Sequence, residues 1–566
     1  MQQARKWEDI LQFVAVALAV VLVNILAANY FFRLDLTEER RYTLAEASKA
    51  TLASLTEPVY IEVYLAGDLN ASFQRLQKSV RETLDEFGVY SNQKVIYKLI
   101  DPASAKTEAE RAAFYRELAT KGINPTNLYD NVDGKRTQKI IFPGAVISYG
   151  NRETAVQLLK GNKAASPQEQ INQSVEGVEY ELITAIKKLT TREKPRVALV
   201  GGHDELDGPP IGDLVSALDE FYVTERVDLR GQTLDGVAAA LILQPKKPFS
   251  EAEKFKLDQF IMGGGKALFF IDKVQMNLDS IGLGGAYAFG YDLNLDDLLF
   301  RYGVRANLDL IQDWQQMGQI VLNVGNFGNA PNIRPVPWPY YVLANRFADH
   351  PTTRNLNAIY TRFLGTIDTV KAEGVRKTPV LFTNQYTRVR RAPTLVSLDE
   401  LKADLNPKLY TKSYLPVAYL LEGSLPSLFK NRFVPEGLPA QPIQPQSVPT
   451  KVLVCADGDV VRNDLDRRSG QPLPLGFDPL SRQQFSNKEW VLNTLAYMLD
   501  EGGLINTRLK EVKLRPLDKV RLQEEAAFWR GLNLLLPLVL VLGFGAFRFW
   551  RRKRKYARAG EGQLGA

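Results

Sequence analysis

From Gly531 to Phe547 the chain carries no charged side chain, and Arg551-Arg552-Lys553-Arg554-Lys555 follows almost at once. Aromatic pairs bracket the stretch, Phe528/Trp529 before it and Phe549/Trp550 after it. As a helix, Trp529 to Phe549 covers about 30 Å, the thickness of a bilayer's hydrocarbon core. Aromatic rings favour the headgroup level, and Arg530 and Arg548 can extend their heads outward to water. Pro537 breaks a soluble helix but is tolerated in a span. A buried core helix is the competing reading. It is disfavoured because core helices are seldom apolar all round with cations stacked at one end. The stretch 531–547 is therefore read as a transmembrane helix.

A second uncharged run, Ile10 to Ala28, is interrupted only by Gln12 and Asn24. It exceeds the length of a signal-peptide core and has no clean small-residue cleavage site after it, so 10–28 reads as an uncleaved first span. Two spans put both termini on one side. Residues 548–566 hold seven Lys/Arg against one acid, Glu561, so the positive-inside bias makes both tails cytoplasmic. The region between the spans is then periplasmic. The tail accounts for most of the formal charge of +7. The rest is nearly neutral, which argues against nucleic acid and points the tail at anionic lipid.

One cysteine, Cys455, excludes an internal disulfide and a four-cysteine zinc site. Two histidines, His203 and His350, supply imidazole poorly for metal sites or triads.

Along the chain, Thr43-Leu44-Ala45-Glu46 predicts a capping box opening a helix to about Leu55. A strand is expected at 59–65. A helix is expected over 71–90, with Phe73, Leu76, Val80, Leu84 and Phe87 on one stripe. Strand 95–100 and helix 108–120 follow. Asp133-Gly134 and Gly150-Asn151 each suit a two-residue hairpin turn. This order resembles a thioredoxin-like domain over 29–160. It has no cysteine, so redox chemistry is excluded there. Residues 161–175 are polar and read as a linker, with a helix from about Val178 to Leu189 closing the 161–194 segment.

From Arg196 the pattern changes to strands alternating with helices: Val197–Val200 into Gly201-Gly202-His203, then strands at 223–229, 238–243 and 266–272. Ser250-Glu251-Ala252-Glu253 predicts a second capping box. Such alternation implies a parallel sheet with helices on both faces. The region 312–345, with Pro335, Pro337 and Pro339 among Trp338, Tyr340 and Tyr341, reads as irregular. It is either a partner surface or a loop packed on its own domain. The proline-dense 425–449 reads as an extended, mobile excursion. A strand at 451–455 and a helix at 488–500 complete the domain, taken as 195–509. A charged juxtamembrane segment, 510–530, leads into the second span.

No candidate site is strong. Cys455 ends a strand, but V-C-A-D-G is not a nucleophile elbow, so a buried structural thiol is preferred. His203 follows two glycines without an evident partner, and a turn role is preferred. Asp457 and Asp459 suggest a metal pair, yet acids after a strand are more often caps. No phosphate-binding loop occurs. No catalytic, cofactor-binding or metal residue is assigned.

Several blocks carry a resemblance: Phe32 to Ser48 (FRLDLTEERRYTLAEAS), Ile141-Phe142-Pro143-Gly144-Ala145, Val197 to His203, and Asn487 to Asp500 (NKEWVLNTLAYMLD) with Leu504-Ile505 and Arg508-Leu509-Lys510. Together these resemble the gliding-motility ABC-transporter auxiliary family GldG over essentially the whole length. The middle resembles the auxiliary domain of uncharacterised ABC transport systems, a glutamine-amidotransferase-like α/β fold without its catalytic set. The resemblance implies a non-catalytic partner of a membrane permease and a cytoplasmic ATPase in gliding Bacteroidota, with no cofactor; a homodimer within the complex stays open. The expected fold is α/β: a thioredoxin-like domain, then an amidotransferase-like (flavodoxin/Rossmann-type) parallel-sheet domain, flanked by two transmembrane helices. The alternatives are a stand-alone envelope ligand-binding protein and a membrane-anchored hydrolase using Cys455 or His203.

Overall fold

A computed structural model describes residues 11, 13–22, 24, 43–104, 107–132, 135–160, 166–276, 278–281, 285–327, 330–401, 406–439, 442–500, 502–509 and 524–560. The expectations for 1–9, 29–42, the Asp133-Gly134 turn, 510–523 and 561–566 lie outside these residues. The chain divides into two units, Met1–Glu511 and Val512–Ala566.

The first lobe is built on strands β1 (Val59–Val63), β2 (Val95–Leu99), β5 (Gly144–Tyr149) and β6 (Arg152–Gln157), in the order β2-β1-β5-β6. β1 and β2 are parallel, while β5 runs antiparallel to both of its neighbours, β1 and β6. A parallel pair needs a crossover, which helix Ala71–Tyr90 supplies. Its predicted stripe, Phe73, Leu76, Val80, Leu84 and Phe87, is buried as the periodicity requires. The hairpin β3 (Thr126–Val132) and β4 (Lys135–Ile141) is a separate ribbon.

Two expectations fail here. The first helix, Glu46–Ala53, starts after Ala45 without a side-chain cap, so the Thr43–Glu46 box does not form. Glu179 from a distant helix takes its place, accepting from the Ala45 amide and the Ser48 hydroxyl at 2.7 Å each. The expected linker at 161–175 is instead mostly helix. Ser166 caps Pro167–Thr190, with proline in its first turn. Ile171, Val178, Leu182, Ile183 and Ile186 enter the first lobe's core, and the polar Gln168 and Asn172 accept from Ser72 (3.2 Å) and Arg75 (2.6 Å) of helix Ala71–Tyr90.

The second lobe is an eight-stranded sheet of described strands. β7 (Arg196–Gly201), β8 (Val223–Asp228), β9 (Ala239–Leu243), β10 (Lys266–Phe270) and strand Thr450–Cys455 run parallel in the order β8-β7-β9-β10-(450–455). Strand Pro416–Gly423 and then Val375–Phe382 extend it antiparallel. One core packs Trp490, Leu214 and Leu218 on one face, and a second packs Phe255, Ile261 and Tyr302 on the other. The Ser250–Glu253 capping box opens helix Glu251–Met262 as expected.

The region 312–345 is ordered, against expectation. Strand Met317–Phe327 pairs antiparallel with strand Ala330–Ala344, and Trp338, Tyr340 and Tyr341 are buried. Prolines fit because Pro335 and Pro337 lie opposite Val321 and Gln319, at positions whose N–H points away from the partner. Pro339 sits where the register shifts.

The proline-dense 425–449 is also docked. Buried Asp258 accepts from Ser427 Oγ (2.7 Å), the Leu428 amide (2.9 Å) and Tyr302 Oη (2.9 Å). Phe429 packs edge-on against Phe255 at 5.1 Å, and the Val448 amide donates to the Met262 carbonyl at 3.1 Å. Anchored proline is extended but not free.

In the second unit, helix Ala526–Gly560 has an exposed apolar window, Ala526–Arg551. It begins before and ends after the expected 531–547 span, so residues 548–560 of the basic tail continue the helix. At the other end, Phe13–Leu22 is a shorter apolar helix, and the remainder of 10–28 is largely outside the described residues.

Replacing Asp258 with alanine orphans three buried donors and is expected to cost on the order of 3 kcal/mol. Denaturant unfolding measures the loss, and limited proteolysis should newly cut within 425–449. Phe433→Ser, at a side chain 95% exposed, should change neither.

Candidate functional site at the carboxyl edge of the parallel sheet

In open parallel sheets, ligands bind beyond the strands' carboxyl ends, where connections diverge to opposite sides. Here that edge lies beside β7 and β9, and every sequence candidate comes from it.

After β7, Gly202 takes φ +114°, where a Cβ would meet Asp228 Oδ1 at 2.9 Å. This turn drops His203 into the interior. Its Nδ1 lies 2.8 Å from Glu205 Oε1, its amide donates to Glu205 Oε2 at 2.7 Å, and its ring stacks on Phe249 at 3.5 Å. Nε2 faces Glu253 Oε1 at 3.3 Å. Burial alone lowers the imidazole's pKa, but the bond and charge of Glu205, then those of Glu253, outweigh it and the net shift is upward. Glu253 is the same residue that closes the capping box with Ser250. His203 therefore sits between two carboxylates, bonded to Glu205 after β7 and facing Glu253 of helix Glu251–Met262. Its partners, two and fifty residues on, could not be singled out from sequence.

Cys455 is fully buried between Phe270 and Ala418 on the neighbouring strands. Burial, then the charge of Asp457, pushes its thiol well above the usual range, away from nucleophilic thiolate.

Asp457 and Asp459 meet a third acid that sequence reading passed over, Asp272 at the end of β10. Asp272 accepts from Gln244 Nε2 and from the Gly458 amide, each at 2.7 Å. Asp457 accepts from the amides of Arg362 (2.8 Å) and Asp459 (2.6 Å), the cap role expected for it. Gly458 permits the approach, since a Cβ there would stand 2.4 Å from Gln244 Cγ. Burial foremost, then the charge of Asp459, pushes Asp272 up to about 7. Burial, then Asp272 and Asp459, holds Asp457 well above the carboxylate range. Among the described residues, no three or more His, Cys, Asp or Glu side chains are arranged to hold a metal ion. Chemically, the cluster stores protons and ties four segments together.

A groove of about 620 Å³ opens elsewhere, between Asp296, Phe300 and Arg301 on one side and Leu428, Lys430 and Arg432 on the other. Two of its lining residues are ion-paired, Arg432 to Asp297 at 3.1 Å, and Asp297 also contacts fully buried Lys254 behind it at 3.0 Å.

A family model described as an ABC-type uncharacterized transport system matches residues 194–494, the whole of the sheet that carries this edge. The chain belongs to the ABC-type uncharacterized transport system family. That family is auxiliary to ABC transport, which fits an accessory, non-enzymatic role. A domain-of-unknown-function model matches residues 38–148, in the first lobe. A protein of Borreliella burgdorferi, described as uncharacterized, is 20% identical over 536 residues, covering 92% of this chain and 94% of its own. The solved mmIFT52 N-terminal domain is similar at 13% identity and a TM-score of 0.30, over 54% of this chain and 96% of that one. At that score it carries no argument about fold.

For this transport-family member, pH dependence has a fixed sign. Unfolded aspartate titrates near pH ~4. Asp272 holds its proton to about 7 when folded, so its contribution is complete below that lower value and is lost as pH rises through 7. The urea midpoint should therefore fall across this window. Asp272→Asn should flatten the fall, with the Gln244 amide turning its unpaired Oε1 to the new donor.

Proposed function

We propose that this chain is the non-catalytic, membrane-anchored periplasmic subunit of an ABC transporter complex needed for gliding motility, working with a permease and a separate ATPase. The observation that carries this reading is the match of 194–494 to the auxiliary transport family. The gliding assignment rests on the GldG resemblance of the blocks at 32–48 and 487–510. The order β2-β1-β5-β6 supports a thioredoxin-like first domain. The order β8-β7-β9-β10-(450–455) is that of flavodoxin-type sheets and supports the amidotransferase-like reading of the second.

The exposed apolar helix supports an inner-membrane anchor, with its cations on the cytoplasmic side against anionic lipid. Ile10–Ala28 is the first span in this reading, and the lobes lie in the periplasm. A non-catalytic role is supported by the state of each reactive candidate. Cys455 is buried as a thiol, His203 is held between two glutamates, and the aspartates bond to backbone and amide donors.

The permease should co-purify with this chain and be lost when Gly531–Phe547 is replaced by an unrelated span of equal length. Retained co-purification would reduce the spans to tethers and favour a stand-alone envelope binding protein. Transport-dependent motility surviving Cys455→Ala removes the thiol-hydrolase reading.

A further inference from the structure

The hairpin Met317–Phe327/Ala330–Ala344 treats its two edges differently. On the second strand, Pro335 and Pro337 lie opposite Val321 and Gln319. Proline cannot donate, so these pairs are the non-bonded positions of the ladder. Their partners therefore turn N–H and C=O outward. Asn323, opposite Ile333, has the same parity. The first strand thus presents the backbone groups of Gln319, Val321 and Asn323 to a free edge. No described residue hydrogen-bonds it there, and its ladder is to Ala330–Ala344 alone. Burial follows the same alternation: Gly318 and Ile320 are inside, while Val321 is 38% exposed.

Natural sheets blunt open edges with charge or proline. The second strand carries the prolines. The first, Met-Gly-Gln-Ile-Val-Leu-Asn-Val-Gly-Asn-Phe, has neither proline nor charge over its 11 residues. Its outward residues read Gln319, Val321, Asn323, nearly symmetric about the valine. An antiparallel two-fold centred on Val321 sets valine against valine and each Gln319 amide against an Asn323 amide. It satisfies roughly six backbone hydrogen bonds and opposes no like charges.

We propose that strand Met317–Phe327 is a homodimer interface, pairing edge to edge with the same strand of a second copy. A charged or differently patterned strand would leave one of the two amide positions unmatched, so the self-complementary pattern favours a second copy over a foreign segment. The inference does not depend on the transport reading, and its failure leaves that reading intact.

The test uses the full chain in detergent micelles. Light scattering corrected for detergent should give a dimer. Val321→Pro removes only an outward donor, so it should keep its thermal unfolding midpoint while the mass falls two-fold. Val321→Lys, which sets like charges opposite each other, should do the same. Val321→Cys should cross-link to itself with a short bis-maleimide, and Val223→Cys, at the exposed edge β8, should not. A monomeric native chain overturns the proposal, as does a dimer that survives both substitutions. So does a Val321→Cys cross-link in native membranes to a different protein, which would assign the edge to that partner.

Discussion

Strand Thr450–Cys455 holds the second lobe together. It joins the sheet from about 180 residues away in sequence, pairing parallel with β10 on one side and antiparallel with Pro416–Gly423 on the other. It is the seam where the parallel half meets the antiparallel half. Its alternating side chains feed both cores, Leu453 and Cys455 into one and Val452 and Val454 into the other. Such non-local pairing is slow to form, because loop-closure entropy is paid before the contacts are made. The long segment between β10 and this strand therefore cannot be idle. Asp258 pins its proline-rich end, and the buried aromatic cluster of Trp338, Tyr340 and Phe363 packs its middle.

The seam also explains why acids gather at its carboxyl end. Where parallel strands end, helices and connections depart to either side, and their loose backbone amides need acceptors. Asp272 takes the Gly458 amide, and Asp457 takes those of Arg362 and Asp459. Each carboxylate binds a different connection to the sheet. The cost is like charge in a buried place, which the cluster lowers by retaining protons. At this edge the carboxylates accept from the chain's own amide donors.

Periodicity revealed what is local. The stripe of helix Ala71–Tyr90 and the Ser250 capping box depend on neighbours within one or two turns, so sequence alone placed them correctly. The candidates for chemistry were found as residues but not as a constellation. His203 was visible, while Glu253 beside it was assigned only to its cap. Asp272 was read as a strand's last residue, and its meeting with Asp457 depends on β10 and the 450–455 strand becoming neighbours. Proline misled twice for one reason. Its effect depends on which side of the backbone needs a donor, and density along the chain does not encode sides. At Pro335 and Pro337 the N–H was dispensable; at 425–449 the fixing contact came from Asp258 on another element.

The two lobes of the first unit are coupled more tightly than a linker reading allows. Helix Pro167–Thr190 belongs to the first core but reaches the second lobe through Lys188–Glu220 at 2.8 Å and Lys187–Asp500 at 3.3 Å. From the other direction, Leu504 after helix Asn487–Leu499 enters the first lobe's core. Arg508 then ties Asn493 and the Arg354 carbonyl together while lying 5.1 Å from the Tyr180 ring. Surface pairs of this kind contribute little singly. An apolar side chain exchanged across the boundary is different, because separating the lobes would expose it to water. The 3-10 turn Leu504–Leu509 is therefore held by both lobes rather than by the second alone.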